Sequence, residues 1–342
     1  MLIGRSPVTI IKRGLLLPHF SQTTKAGTLH NPQLPALKFF LQIALQPVGS
    51  TMYVWGGGWN ESDTGAGREA CTIGVSPRWK TFASQQTASY DYRTTRYQIH
   101  DGLDCSGYVG WCIYNLMHMP LSNYNQHFML SHPESTDTAQ RCIHVQNTST
   151  PSVRGATPYG YVMPAHHMAA NFAARGWGTF IPRNQIVNYR AGDIMSSPDH
   201  VWIAIGECSD GSVVLLHSSP PGVRLCGTPR PARVSAICST PGISYSPVHS
   251  SHTPTAASTR SGNCTSSAAP VDSQAVRLAS HYMRTYYPDW YSRYPDCSCD
   301  SSYLCDYDQM RWDTSGKAAL TDPDGFQKMS ASAILKDLLS LP

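Results

Sequence analysis

Cys105 lies in "DGLDCSGYVGWC", residues 101–112, between Asp104 and Ser106 and ahead of an apolar run. Tyr108, Val109, Cys112, Ile113 and Leu116 fall on one helical stripe. The spacing predicts a helix that starts at Cys105, capped by Asp104 or Ser106. The partial positive charge and free N–H groups of a helix start lower a thiol's pKa and can donate to a developing oxyanion. A thiol nucleophile also needs a base and a group that orients the base. His200 opens the apolar run "HVWIAIG", and His217 follows "SVVLL". If these runs pair as a hairpin about "ECSDG", symmetric pairing puts His200 directly across from His217. Their Cβ atoms would then stand about 4.5–5.5 Å apart on one face, close enough for one ring to hold the other. A one-residue slip would break the pairing.

The remaining reactive residue types read more plainly. Free cysteines are usually core residues, and Cys112, on the apolar stripe, is expected to be one. His166 and His167 in "MPAHHM" read as surface or rim residues. Trp55, Trp59 and Trp79 suit packing as well as groove lining. Cys297, Cys299 and Cys305 form C-x-C-x5-C without a fourth ligand at close spacing, so no metal ligand is expected.

These residues must be positioned by elements that other periodicities predict. Leu37, Phe40, Leu41 and Leu45 in "PALKFFLQIAL" predict a helix, and "TMYVWGGGWN" a short strand or turn running into glycines. "MPAHHMAANFAARGWG" predicts a helix ended by Gly176, and "AGDIMSSPDHVWIAIG" and "GSVVLLHSSP" two strands. "SQAVRLASHYMRTYY" and "SASAILKDLL" predict two late helices. Residues 59–103 and 120–159 read as long insertions or loops. Residues 229–270 read as a linker, since the stretch from 228 holds 16 Ser or Thr, repeated prolines and no acid. The expected organisation is therefore an irregular leader over 1–35, a catalytic region over 36–228, the linker, and a helical extension over 271–342.

Bulk properties narrow the function. With 342 residues, 41% hydrophobic and 14% charged, the chain can bury a core. A formal net charge of +4 is too weak and too spread to argue nucleic-acid binding. No apolar run is long enough to predict a membrane span. The first 20 residues lack the uninterrupted apolar stretch of a signal peptide, so export is not legible there. Eleven cysteines, an odd number, match no small secreted scaffold.

Taken together, "YVWGGG" at 53–58, "DCSGYVGW" at 104–111, "AGDI" at 191–194, "HVWIAIG" at 200–206 and "LLHSS" at 215–219 resemble the NlpC/P60 cysteine peptidases of bacterial cell walls. The resemblance implies an α+β papain-like fold, with the cysteine helix packed on an antiparallel sheet carrying both histidines. It implies Cys105 as nucleophile, His200 as base and His217 as the orienting third member. It also implies Tyr53 lining the site, and Asp104 and Ser106 contacting substrate. The implied activity is hydrolysis of peptidoglycan stem peptides, commonly between D-γ-glutamate and a diamino acid, without cofactor or metal, outside the cell or in its wall. Rival expectations are an amidase or acyltransferase on the same scaffold, or a wall-binding protein with a dead site. The chain departs from the pattern in having 45 residues between Gly58 and Asp104, and Asp199 before the base.

Overall fold

The computed structural model describes residues 34–59, 73–96, 98–118, 161–231, 272–316 and 319–339. Nearly all of the expected leader and linker, and the whole 120–159 insertion, lie outside the described residues. Helix α1 (Leu37–Leu45) buries Leu37, Phe40, Leu41 and Leu45 as its spacing predicts. Helix α2 (Pro77–Gln85) arises inside the segment expected to be loops. Ser76 caps it through the Arg78 N–H and Pro77 opens it, while only Trp79 and Ala83 are buried. A single i, i+4 pair is too short a period to read. Helices α3 (Cys105–His118) and α4 (Ala165–Ala174) follow. Then come α5 (Gln274–Tyr286), α6 (Pro288–Arg293) and α7 (Ala331–Leu339).

Among the described residues the strands are β1 (Met52–Tyr53), β2 (Gly102–Leu103), β3 (Gly178–Ile181), β4 (Ile194–Ser196), β5 (Val201–Glu207), β6 (Val213–Ser219), β7 (Gly222–Gly227) and β8 (Asp308–Trp312). They form one sheet in the order β2-β1-β7-β6-β5-β4-β8-β3. The fold is mixed α and β, but the sheet is not wholly antiparallel as expected, because β1 and β2 run parallel at one edge. The stretch read as one strand from Ala191 is two antiparallel strands, β4 and β5, which leave His200 in the turn between them. The late region expected to be helical also supplies β8, which lies between β4 and β3.

Alternation along β5 and β6 gives the sheet two apolar faces. Val201, Ile203, Ile205, Val214 and Leu216 join the main core with α1 and α3. Trp202, Ala204, Val213 and Leu215 face the other way with Cys226 and Tyr307, and Cys299, Tyr303 and Leu304 pack over them. The segment around residues 299–307 thus covers the face of the sheet opposite α3.

Candidate active site

Helix α3 starts at Cys105 because Asp104 caps it. The Asp104 carboxylate accepts the Gly107 N–H at 2.6 Å and the Ser106 hydroxyl at 2.9 Å. Trp59 Nε1 donates to Ser106 Oγ at 2.9 Å. Of the two caps the sequence allowed, Asp104 holds the position. Both Asp104 and Ser106, expected as substrate contacts, are buried with their polar atoms turned to the helix start and to Trp59. The glycines of "YVWGGG" let the backbone approach this turn. A Cβ on Gly107 would sit on the Gly57 carbonyl oxygen, and Gly58, at φ +91°, runs against the Gly107 Cα. The Asp104 N–H bonds the Gly57 oxygen at 3.0 Å.

The Val201 and Ser106 N–H groups lie close enough to the Cys105 sulfur to favour its charged form. Val201 directly follows His200, so the thiol lies against the mouth of β5. Burial, and next the Asp104 charge, push this thiol up to about 12, while the backbone N–H groups pull the other way. His200 is held well below its usual range, first by burial and then by His217 and Arg224. Cys105 therefore rests as a neutral thiol and His200 as a neutral imidazole. Tyr53 is raised far above the usual phenol range by burial and by the nearby Cys105 and Asp104, so its hydroxyl stays protonated near the sulfur. Its ring meets Tyr92 edge-on at 5.3 Å.

The turn from β4 to β5 fixes His200. Ser197 N–H bonds the His200 carbonyl at 2.8 Å, and the His200 N–H bonds Ser197 Oγ at 3.1 Å. The His200 Nε2 and His217 Nδ1 atoms are 3.1 Å apart. The pairing that brings them together differs from symmetric pairing about "ECSDG". Ile203 lies across from Leu216 and Ala204 from Leu215, with a bulge before Gly206. Continuing that register sets His217 across from Trp202, two residues from His200. A two-residue shift keeps both histidines on one face, where a one-residue shift would not. They meet as diagonal neighbours, within reach of long aromatic side chains.

Residues the sequence did not single out complete the site. Tyr303 and Tyr307 face His200, with ring centres at 5.6 and 6.4 Å, and Tyr303 Oη is 3.4 Å from His217 Nδ1. No spacing rule marks these tyrosines, because they reach the site by the path of the late chain over the sheet. A cavity of about 300 Å³ opens beside this turn, lined by Arg183, Ser197, Asp199, Ser302, Asp306 and Tyr307. Behind His217, a ring nitrogen of that histidine, Cys226 Sγ and Cys299 Sγ lie within 4.8 Å of one another. The C-x-C-x5-C spacing gave no sign of this grouping, since its other members come from β6 and β7. Cys112 is a buried core residue as expected. Partly exposed Trp59 and buried Trp79 both pack, while Trp55 is half exposed. His166 is exposed and His167 partly buried on α4.

No family model matches the chain, and no curated protein or solved structure matches it. Among the described residues, no helix is long and apolar enough to cross a membrane.

Proposed function

We propose that the protein is a cysteine hydrolase of the NlpC/P60 type that cleaves an amide bond in peptidoglycan stem peptides. A cell-wall location goes with that substrate. One observation carries the reading: His200, whose Nε2 lies 3.1 Å from His217 Nδ1, directly precedes Val201, whose N–H acts on the sulfur at the start of a helix. His217 occupies His200 Nε2, which leaves His200 Nδ1 for the thiol. For Nδ1 to accept a proton, the His200 proton must sit on Nε2 and be donated to His217 Nδ1. His217 then carries its own proton on Nε2.

Because the resting thiol is neutral, His200 takes its proton as the sulfur attacks the carbonyl carbon. N–H groups at the start of α3 stabilise the resulting oxyanion. His200 then gives the proton to the leaving amine, and the acyl-enzyme forms. Water, deprotonated by His200, attacks the thioester and releases the acid and Cys105. The polar cavity beside His200, with Arg183 and Asp199 on its walls, suits a zwitterionic peptide.

Incubation with purified muropeptides, read by mass spectrometry, tests the proposal. A new amine on the diamino acid is the expected product. Release of the stem from muramic acid would assign an amidase, and a transferred acyl group an acyltransferase. Tight binding with no product and no alkylation of Cys105 would leave a wall-binding protein.

A further inference from the structure

Arg224 and Cys226 lie on the same face of β7, and His217 pairs across from Arg224 on β6. Arg224 is buried, and its Nη1 donates to the Ser219 and Gly222 carbonyls at 2.6 and 3.2 Å. Its Nε has no hydrogen-bond partner, and among the described residues no acidic side chain pairs with it. His217 Nε2 is buried without a hydrogen-bond partner as well. A buried guanidinium with no counter-charge is costly, and the groups that adjoin it here are sulfurs. Cys299 reaches them because its N–H bonds the Gly227 carbonyl at 2.9 Å, while the Gly227 N–H bonds the Cys297 carbonyl at 2.8 Å. Cys226 is fully buried and Cys299 only partly.

We propose that Cys226 and Cys299 are a redox pair whose disulfide switches off the imidazole chain behind Cys105. The bond itself is independent of the hydrolase reading, whereas its effect on turnover rests on it. The backbone bridge at Gly227 sets the two segments side by side, and the two sulfurs lie within 4.8 Å of each other. Burial opposes ionisation of Cys226, but the Cys299 hydrogen bond, Arg224 and His217 outweigh it and hold that thiol well below its usual range. The reduced cluster is then a thiolate that answers Arg224, accepts from the Cys299 S–H and, as the nearby negative charge, favours the His217 proton on Nε2. A soft cation would need the same three donors, and the adjacent guanidinium opposes it.

Oxidation requires a small-molecule disulfide. Cys299, the more accessible thiol, passes its proton to Cys226 as its sulfur attacks one sulfur of the reagent. The reagent's S–S bond breaks and one thiolate leaves. That thiolate takes the proton from Cys226, whose sulfur attacks Cys299 and expels the second thiolate. Two protein sulfurs are oxidised and one reagent disulfide is reduced to a thiol and a thiolate. A neutral disulfide is a poor acceptor, so the His217 Nε2–H is stranded. Moving the His217 proton to Nδ1 points it at His200 Nε2 and drives the His200 proton to Nδ1, where the base is lost.

The full chain, reduced and then exposed to oxidised glutathione, tests this. Non-reducing peptide mapping reads the bond, and the rate of Cys105 alkylation by iodoacetamide across pH reads the base. A linked Cys226–Cys299 peptide pair is expected. Cys105 alkylation near neutral pH should fall by roughly tenfold, a part of what a positioned base supplies, and a dithiol reductant should restore it. Cys299→Ser should ignore the oxidant, with the same Cys105 alkylation rate before and after exposure to oxidised glutathione. The proposal is overturned if both cysteines stay alkylatable, if the pair links without slowing Cys105, or if the reduced protein carries a metal on these sulfurs. Failure of the reduced protein to cleave any muropeptide would sink the hydrolase reading alone, because mapping and alkylation need no substrate.

Discussion

Two arginines with little solvent access stand on one sheet, with three strands between them, and they are partnered in opposite ways. Arg311 on β8 meets Asp193 of "AGDI" with a fork, Nη2 at 2.9 Å from one carboxylate oxygen and Nε at 3.2 Å from the other. The same carboxylate takes the Gln309 amide at 2.6 Å and the Arg190 N–H at 2.8 Å. Every charge in that group is answered, which is what lets a buried pair persist. Arg224 on β7 has only two backbone carbonyls, a bare Nε and nearby cysteine sulfurs. A satisfied buried charge fixes geometry, here the seat of β8 against β4. An unsatisfied one points to a candidate for chemistry, here beside the two histidines of the candidate site.

If that contrast holds, variants on the reactive side should cost activity and variants on the satisfied side should cost stability. The largest effect is expected from Cys105→Ala. It removes the atom that forms the covalent intermediate, so muropeptide turnover should fall by about 10⁴-fold or more. The cap at Asp104 stays in place, so the melting temperature should hardly move. Near-normal turnover would remove Cys105 as nucleophile.

Arg311→Met comes next and should show the reverse pattern. It strands a fully buried carboxylate, at a cost of about 3–5 kcal/mol in urea unfolding. Adding Asp193→Asn should recover part of that loss, since the two sites are coupled. The folded fraction should alkylate Cys105 at the unaltered rate. A stable Arg311→Met protein would mean that the fork holds nothing, and the contrast between the two arginines would collapse.

His217→Ala should lower turnover by roughly 10–100-fold, within what general acid–base positioning supplies. His217→Asn should lose less, because its amide can still meet His200 Nε2 and hold the tautomer. His200→Ala should lose more than either. Turnover of His217→Ala equal to wild type would leave the 3.1 Å contact without a catalytic role.

The chemistry-bearing residues were more legible in the sequence than the surroundings that tune them. Helix periodicity and the Asp-Cys-Ser start placed Cys105 at a helix N-terminus, because capping and amphipathic spacing are local. Both histidines landed on one face, although the pairing is offset by two residues and a bulge at Ile205 intervenes. Parity survives an even shift, so the meeting of the two histidines was legible while its register was not. Tyr303, Tyr307, Cys226 and Cys299 were not legible as site residues. They are assembled by β7 and by the late chain folding over the sheet, contacts separated by tens of residues that leave no periodic trace. Strand β8 was missed for a related reason. "DQMRW" carries Gln309 and Arg311 to meet Asp193, and that polar content hides a strand that burial of a charged pair makes possible.

The smallest expected effect separates the cap from the charge at Asp104. Burial raises this carboxyl to about 6, against the pull of the Gly107 and Ser106 hydrogen bonds. The folded state therefore holds the proton more tightly than the unfolded chain, whose carboxyl titrates near 4. The stability linked to that proton is present below about pH 4 and is lost as pH rises through about 6. Asp104→Asn keeps an oxygen for the Gly107 N–H, since Asn is as good a cap as Asp, and it removes this titration. Urea unfolding at pH 4.5 and 7.5 should therefore show the variant gaining on wild type at the higher pH. The Asp104 charge is, after burial, the main influence that raises the Cys105 thiol. Without it, the pH profile of Cys105 alkylation should move to lower pH. An unmoved profile would show that the carboxylate does not act on the sulfur, and burial alone would account for the neutral resting thiol.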